Sequence, residues 1–152
     1  MVEEFRMADP IHPVQTRNRH YIYQFTAKHH GGGKADDARW SKDVSQDEEF
    51  SVFDEADYHD IIDDDGRFYG VLPSPGGALR DLGTWQQQVA EFPRANEAIP
   101  WHGYPIWALS ELAPPNRSGE KARPAKEVFV KMEQAGLISA RQRKRLFKGD
   151  HA

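Results

Sequence analysis

The sequence predicts an α+β fold: a small antiparallel sheet, one middle helix and a C-terminal pair of helices, joined by long polar loops. Three observations carry that expectation. Residues 19–28 (RHYIYQFTAK) alternate, with Tyr21, Tyr23 and Phe25 on one side and His20, Gln24 and Thr26 among the residues on the other, as a half-buried strand requires. Asp65-Gly66 lies between two apolar stretches and is a favoured hairpin turn, because both residues tolerate positive φ. Pro124, Gly136, Ser139 and Gly149 sit where two consecutive helices need a first residue, a stop, a cap and a second stop.

Taken in order, residues 1–18 hold two prolines around Ile11-His12 and no periodicity, so they are expected to form a mobile leader. The strand at 19–28 breaks at His29-His30-Gly31-Gly32-Gly33-Lys34 into a loop. The polar stretch 36–49 carries one aromatic, Trp40, and reads as a surface loop with a helical turn. A short strand is expected at 49–54 (EFSVFD), followed by a hairpin with strands near 58–62 and 67–72. Pro73-Ser74-Pro75-Gly76-Gly77 ends the second of these. Thr84 stands as a helix cap before 85–92, where Trp85, Val89 and Phe92 fall at i, i+4 and i+7. Residues 99–112 are apolar but interrupted by Pro100, Gly103 and Pro105, which suits a packed irregular segment or edge strand.

Four regions follow: a leader over 1–18, an α+β core over 19–112, a linker over 113–123 with Pro-Pro followed by Asn, Ser, Gly and charges, and a basic helical pair over 124–149. In the last, Val128, Phe129, Met132 and Ala135 form an apolar stripe, and Leu137-Ile138 follow Gly136 to pack back. Residues 129–146, bent at Gly136-Leu137-Ile138-Ser139, resemble short C-terminal two-helix modules of bacterial proteins, with a basic second helix where those are often acidic.

Composition bounds the function. A chain of 152 residues forms one domain able to bury about two-thirds of its unfolded surface. Only 38% of residues are hydrophobic and the mean hydropathy is −0.79, which leaves a small core. The absence of cysteine excludes disulfides, a thiol nucleophile and thiolate metal sites. There is no apolar run of membrane-spanning length and no apolar region near Met1 resembling a signal peptide. A cytoplasmic location without membrane contact is therefore expected.

Charge is segregated. Residues 36–65 hold thirteen acids and two bases, a net −11, whereas 117–148 hold ten bases and three acids, a net +7, within a total of −4. The basic end is expected to fold back on the acidic stretch, with an outward partner surface as the alternative. The basic surface comprises Arg141, Arg143, Lys144, Arg145 and Lys148. The densest aromatic patch, 101–107, nominates Trp101, His102, Tyr104 and Trp107 as a ligand or partner pocket, beside the alternative that these rings fill the core.

Signatures of metal and nucleotide chemistry fail on inspection. An EF-hand loop with Gly66 in sixth place needs carboxylates where Ile61 and Leu72 stand. The triglycine run lacks the spacing and the Lys-Ser/Thr of a phosphate loop, since Ala35 follows Lys34. The seven histidines show no helical ligand spacing, and no Gly-x-Ser-x-Gly elbow marks a nucleophile. No metal and no cofactor are expected. The leading expectation is a non-enzymatic module that binds a protein partner through charged faces and the Trp-rich loop. Beside it stand a nucleic-acid-binding accessory protein using the basic helix, and a small hydrolase or nuclease using His59 or His102 with neighbouring acids.

Overall fold

The computed structural model describes residues 14–18, 21–25, 39–94, 100–106 and 124–152. Within them the order is β1 (Val14–Gln15), β2 (Ile22–Tyr23), α1 (Gln46–Tyr58), β3 (Phe68–Gly70), β4 (Val89–Phe92), β5 (Tyr104–Ile106), α2 (Lys126–Gln134) and α3 (Ala140–Lys148). The α+β class holds: β1 and β2 form one antiparallel ladder, and β3-β4-β5 form an antiparallel sheet with β4 in the centre. The middle helix and the C-terminal pair are both present, but the middle helix lies elsewhere in the chain.

The stretch 49–54, expected as a strand, is the heart of α1, and the first expected hairpin strand, 58–62, begins as its last turn. The buried positions Glu49, Val52, Phe53, Ala56 and Asp57 recur at i, i+3, i+4, i+7 and i+8, which is helical spacing. Two of the five are acids, so hydrophobicity alone hides the period. Ser45 and Glu48 close a reciprocal capping box at the N-terminus, satisfying two backbone donors that the helix itself leaves open. The Asp-Gly turn is real: Ile62 bridges Phe68, and Gly66 adopts φ +84°.

The helix expected over 84–92 is instead a turn followed by β4. Thr84 caps nothing; Gln86 takes φ +65° and the Gln86 N–H donates to the Gly83 carbonyl. All four residues of β4 are buried although they alternate between faces, so both faces of the central strand are covered. On one of them Phe92 meets Phe53 and Tyr23, with ring centroids 5.0 and 5.8 Å apart. Gly70 lets α1 lie directly on β3, since a Cβ there would come within 2.8 Å of the Val52 carbonyl oxygen.

The alternation read at 19–28 survives in a shorter ladder. Tyr23 and Phe25 are buried and Tyr21 half-buried, while Ile22 is exposed. The pairing partner is unexpected, because β1 falls inside the stretch read as a leader. Arg17 anchors its end to α1: the guanidinium sits 2.7 Å from Glu55 and 4.0 Å over the Tyr58 ring, and the backbone N–H donates to Asp54. The loop at 29–34 and the linker at 113–123 lie outside the described residues.

The helical pair follows its sequence signals except at its start: Pro124, expected as the first helical residue, precedes the extended N-cap Ala125, and α2 begins at Lys126. Val128, Phe129 and Met132 are buried, Gly136 follows α2 at φ +80°, Ser139 and Gln142 close a second capping box, and Gly149 ends α3 in the left-handed region. Leu146 is the buried residue of α3 and joins the same hydrophobic core as α1 and the sheet.

Candidate functional site

Trp101, one of the residues of the aromatic segment nominated as a pocket, is built into the core. Trp101 is 7% exposed and packs within 5.2–5.5 Å of the Tyr21, Phe53 and Phe68 rings. The Trp101 backbone bridges β2, with its N–H donating to Ile22 and its carbonyl accepting from Gln24. Trp40 Nε1 donates to the Gly103 carbonyl at 3.0 Å. His102 and Tyr104 are half-buried, and Trp107 lies outside the described residues. Proline and glycine break the segment because it must thread between β2 and the sheet.

Glu48, Glu49, Asp54, Glu55, Asp63 and Asp65 of α1 and the turn after it find internal partners, while Asp47, Asp60 and Asp64 are exposed. The Tyr23 hydroxyl donates to buried Glu49 at 2.5 Å. Burial first, then the Glu49 charge, pushes the Tyr23 phenol well above its ordinary value, keeping it a donor. Glu48 pairs with Arg80 at 2.9 Å. That hydrogen bond, followed by the Ser45 N–H, holds the Glu48 carboxyl below the usual range. Asp63 accepts from the Asp65 and Arg67 N–H groups, the Arg67 guanidinium and the Tyr69 hydroxyl. Burial alone would raise its carboxyl, but these donors outweigh burial and hold it low. The Asp-rich run is thus a turn organised around one carboxylate. Among the described residues, no cluster of three or more His, Asp or Glu is placed to hold a metal ion.

The basic helix behaves differently. Arg141, Lys144, Arg145 and Lys148 are exposed and fall at i, i+3, i+4 and i+7, which makes one continuous stripe along α3. Arg143 departs from the expected surface: it is half-buried on the opposite side and pairs with Glu133 of α2 at 2.5 Å. Among the described residues, none of the four stripe residues forms an ion pair, and no base of α3 touches a carboxylate of residues 36–65. The expected fold-back onto the acidic stretch does not occur there. Asp54, Glu55, Asp63, Asp65 and Glu48 are taken by Arg17, Arg67 and Arg80 instead.

The stripe borders a groove of about 820 Å³ between the turn at 73–78 and the bend joining α2 to α3. Pro73, Pro75, Leu137 and Ile138 supply apolar lining, while Arg141 and Arg145 supply charge. Gln142 Nε2 donates to the Gly77 carbonyl at 2.8 Å, tying the two walls together. At one end the buried Gln88 side chain accepts from the Ala152 N–H at 2.7 Å and donates to its carbonyl at 2.9 Å, placing residue 152 on the groove wall.

One surface residue escaped the sequence reading. Trp85, expected on the inner face of a helix, is 46% exposed on the turn before β4. The turn is pinned from beneath: buried Gln87 accepts the Trp85 N–H through Oε1, and its carbonyl accepts the Leu82 and Gly83 N–H groups. The signal available was Leu82-Gly83-Thr84, a glycine turn just before the supposed helix.

No helix among the described residues is long and apolar enough to cross a membrane. Compared with known protein families, curated proteins and solved structures, the chain matches none of them significantly.

Proposed function

We propose that this chain is a non-enzymatic binding module that engages an acidic protein partner through α3, working in the cytoplasm and requiring no cofactor. One observation carries the reading: the stripe of Arg141, Lys144, Arg145 and Lys148 is exposed and without ion pairs among the described residues, while the neighbouring Arg143 is neutralised. Clustered like charges repel one another, so a stripe of this kind gains most from an oppositely charged surface, which it also steers into encounter. Trp85 takes the anchoring part first expected of residues 101–107, since an exposed Trp whose backbone is tied down by Gln87 fits the profile of an interface anchor.

A protein partner is favoured over nucleic acid on two grounds. The chain is acidic overall, at −4, which opposes the approach of a polyanion as long as DNA or RNA. The groove beside the stripe has no aromatic lining on which bases would stack.

The test is affinity capture on immobilised protein, comparing wild type with Arg141→Gln/Lys144→Gln/Arg145→Gln/Lys148→Gln, with and without nuclease. Retention of a protein that survives nuclease, is released by salt, cross-links to Lys144 or Lys148 and is lost in the variant is the expected result. Retention that disappears with nuclease moves the assignment to nucleic acid, and equal retention by the variant removes α3 from the function.

A further inference from the structure

We infer that the groove between the turn at 73–78 and the α2–α3 bend is a recognition site for an acidic segment of the partner carrying an apolar side chain beside its carboxylates. This rests on the reading of α3 as the contact surface and adds to it a defined ligand chemistry. The groove joins two recognition elements that are otherwise separate. Arg141 and Arg145 stand one helical turn apart along the same wall, and guanidinium groups at that spacing bind carboxylates with directed pairs of hydrogen bonds. Pro73, Pro75, Leu137 and Ile138 offer apolar surface within the same cavity. At about 820 Å³ the space accommodates several residues of an extended segment rather than a single ion.

The walls are preorganised, which limits the ordering cost of binding. The Gln142–Gly77 hydrogen bond spans them. The turn itself is closed by Ser74 N–H to the Ala78 carbonyl and Gly77 N–H to the Ser74 carbonyl. Neither Arg141 nor Arg145 has an ion pair among the described residues; Arg145 makes one long hydrogen bond of 3.4 Å to the His151 carbonyl. Both heads are therefore available to a ligand. Lys144 and Lys148 belong to the same stripe but do not line the cavity, so long-range attraction and seating in the groove are carried by different residues.

The experiment uses full-length protein and three probes of equal charge: a capped Asp/Glu peptide with a central leucine, the same peptide with serine in that place, and a short single-stranded DNA. Binding is followed by amide chemical shifts and by titration. The leucine peptide is expected to shift the Gly76, Gly77 and Ser139 amides and to bind about tenfold more tightly than the serine peptide. Arg141→Gln/Arg145→Gln removes that preference. Gly76→Glu does the same by charge repulsion; a Cβ there meets no atom within 4 Å, so the variant tests the groove without disturbing the turn. Lys144→Gln/Lys148→Gln slows association and flattens its salt dependence but leaves the leucine preference intact.

Equal binding of all three probes, shifts confined to residues outside the groove, or no leucine-peptide binding at millimolar concentration would overturn the inference. A captured partner that still depends on Lys144 and Lys148 while Gly76→Glu has no effect overturns the groove alone and leaves the α3 surface standing.

Discussion

Helices α1 and α3 carry the two charge extremes of the chain, and the fold treats them in opposite ways. On α1, Glu48, Glu49, Asp54 and Glu55 meet Arg80, Tyr23 and Arg17. These partners come from the β1–β2 ladder and from the segment before β4, so the acids tie separate parts of the chain to one helix. On α3, among the described residues, only Arg143 is used in that way, through Glu133 on the adjacent helix. Segregated charge in a sequence therefore has two meanings: here these four acids of α1 are absorbed by the architecture, and the basic stripe of α3 is left at the surface.

The largest expected effect tests the absorbed side. Tyr23→Phe removes the hydroxyl that donates to Glu49, and both residues are buried. Leaving a buried carboxylate short of a donor is expected to cost about 2–3 kcal/mol in denaturant unfolding. A loss below about 0.5 kcal/mol would show that this contact does not hold α1 to the ladder.

A smaller loss is expected at the turn. Asp63→Ala removes an acceptor used by four donors and should cost about 1–2 kcal/mol, part of the site being open to water. The same carboxyl, with Glu48, sharpens the comparison through pH. Both are held below their ordinary values in the folded protein. Their stabilisation is present above the unfolded values of about 4 and is lost as pH falls through the lower folded values. Thermal melts from pH 7 to pH 2 should show Asp63→Ala losing less stability on acidification than wild type; parallel curves would contradict the assignment.

The smallest effect belongs to α3. Replacing Arg141, Lys144 and Lys148 together with Gln should change stability by less than about 0.5 kcal/mol, because exposed unpaired charges contribute little. The expected shift is upward, through relief of repulsion along the stripe. A fall in melting temperature at low salt that shrinks on adding salt would mean that the stripe is neutralised within the molecule, and would erase the contrast with α1.

What the sequence determined by itself is what depends on neighbours along the chain. The helical pair, with its stops at Gly136 and Gly149 and its cap at Ser139, was legible because capping and left-handed termination are set within a few residues. The Asp-Gly turn and the facing of Tyr23 and Phe25 were legible for the same reason. Even α1 announced its start, in Ser45 and Glu48, although the strand reading passed over that box. Tertiary structure alone decided the rest. Glu49 and Asp57 occupy buried helix positions that no hydrophobic pattern marks, Glu49 being tolerable there because the Tyr23 hydroxyl arrives from a distant segment. Val89 and Phe92 fit a helical period by coincidence and become a central strand because β3 and β5 flank them. Of the two readings of 101–107, Trp101 takes the core-filling one, drawn inward by β2, whereas Trp85, expected on a helix face, is held outward by Gln87. The basic stripe was visible in composition, but its freedom was not. Arg17, Arg67 and Arg80 reach the acids first, and which of two opposite charges meets a given carboxylate depends on where the fold sets their backbones.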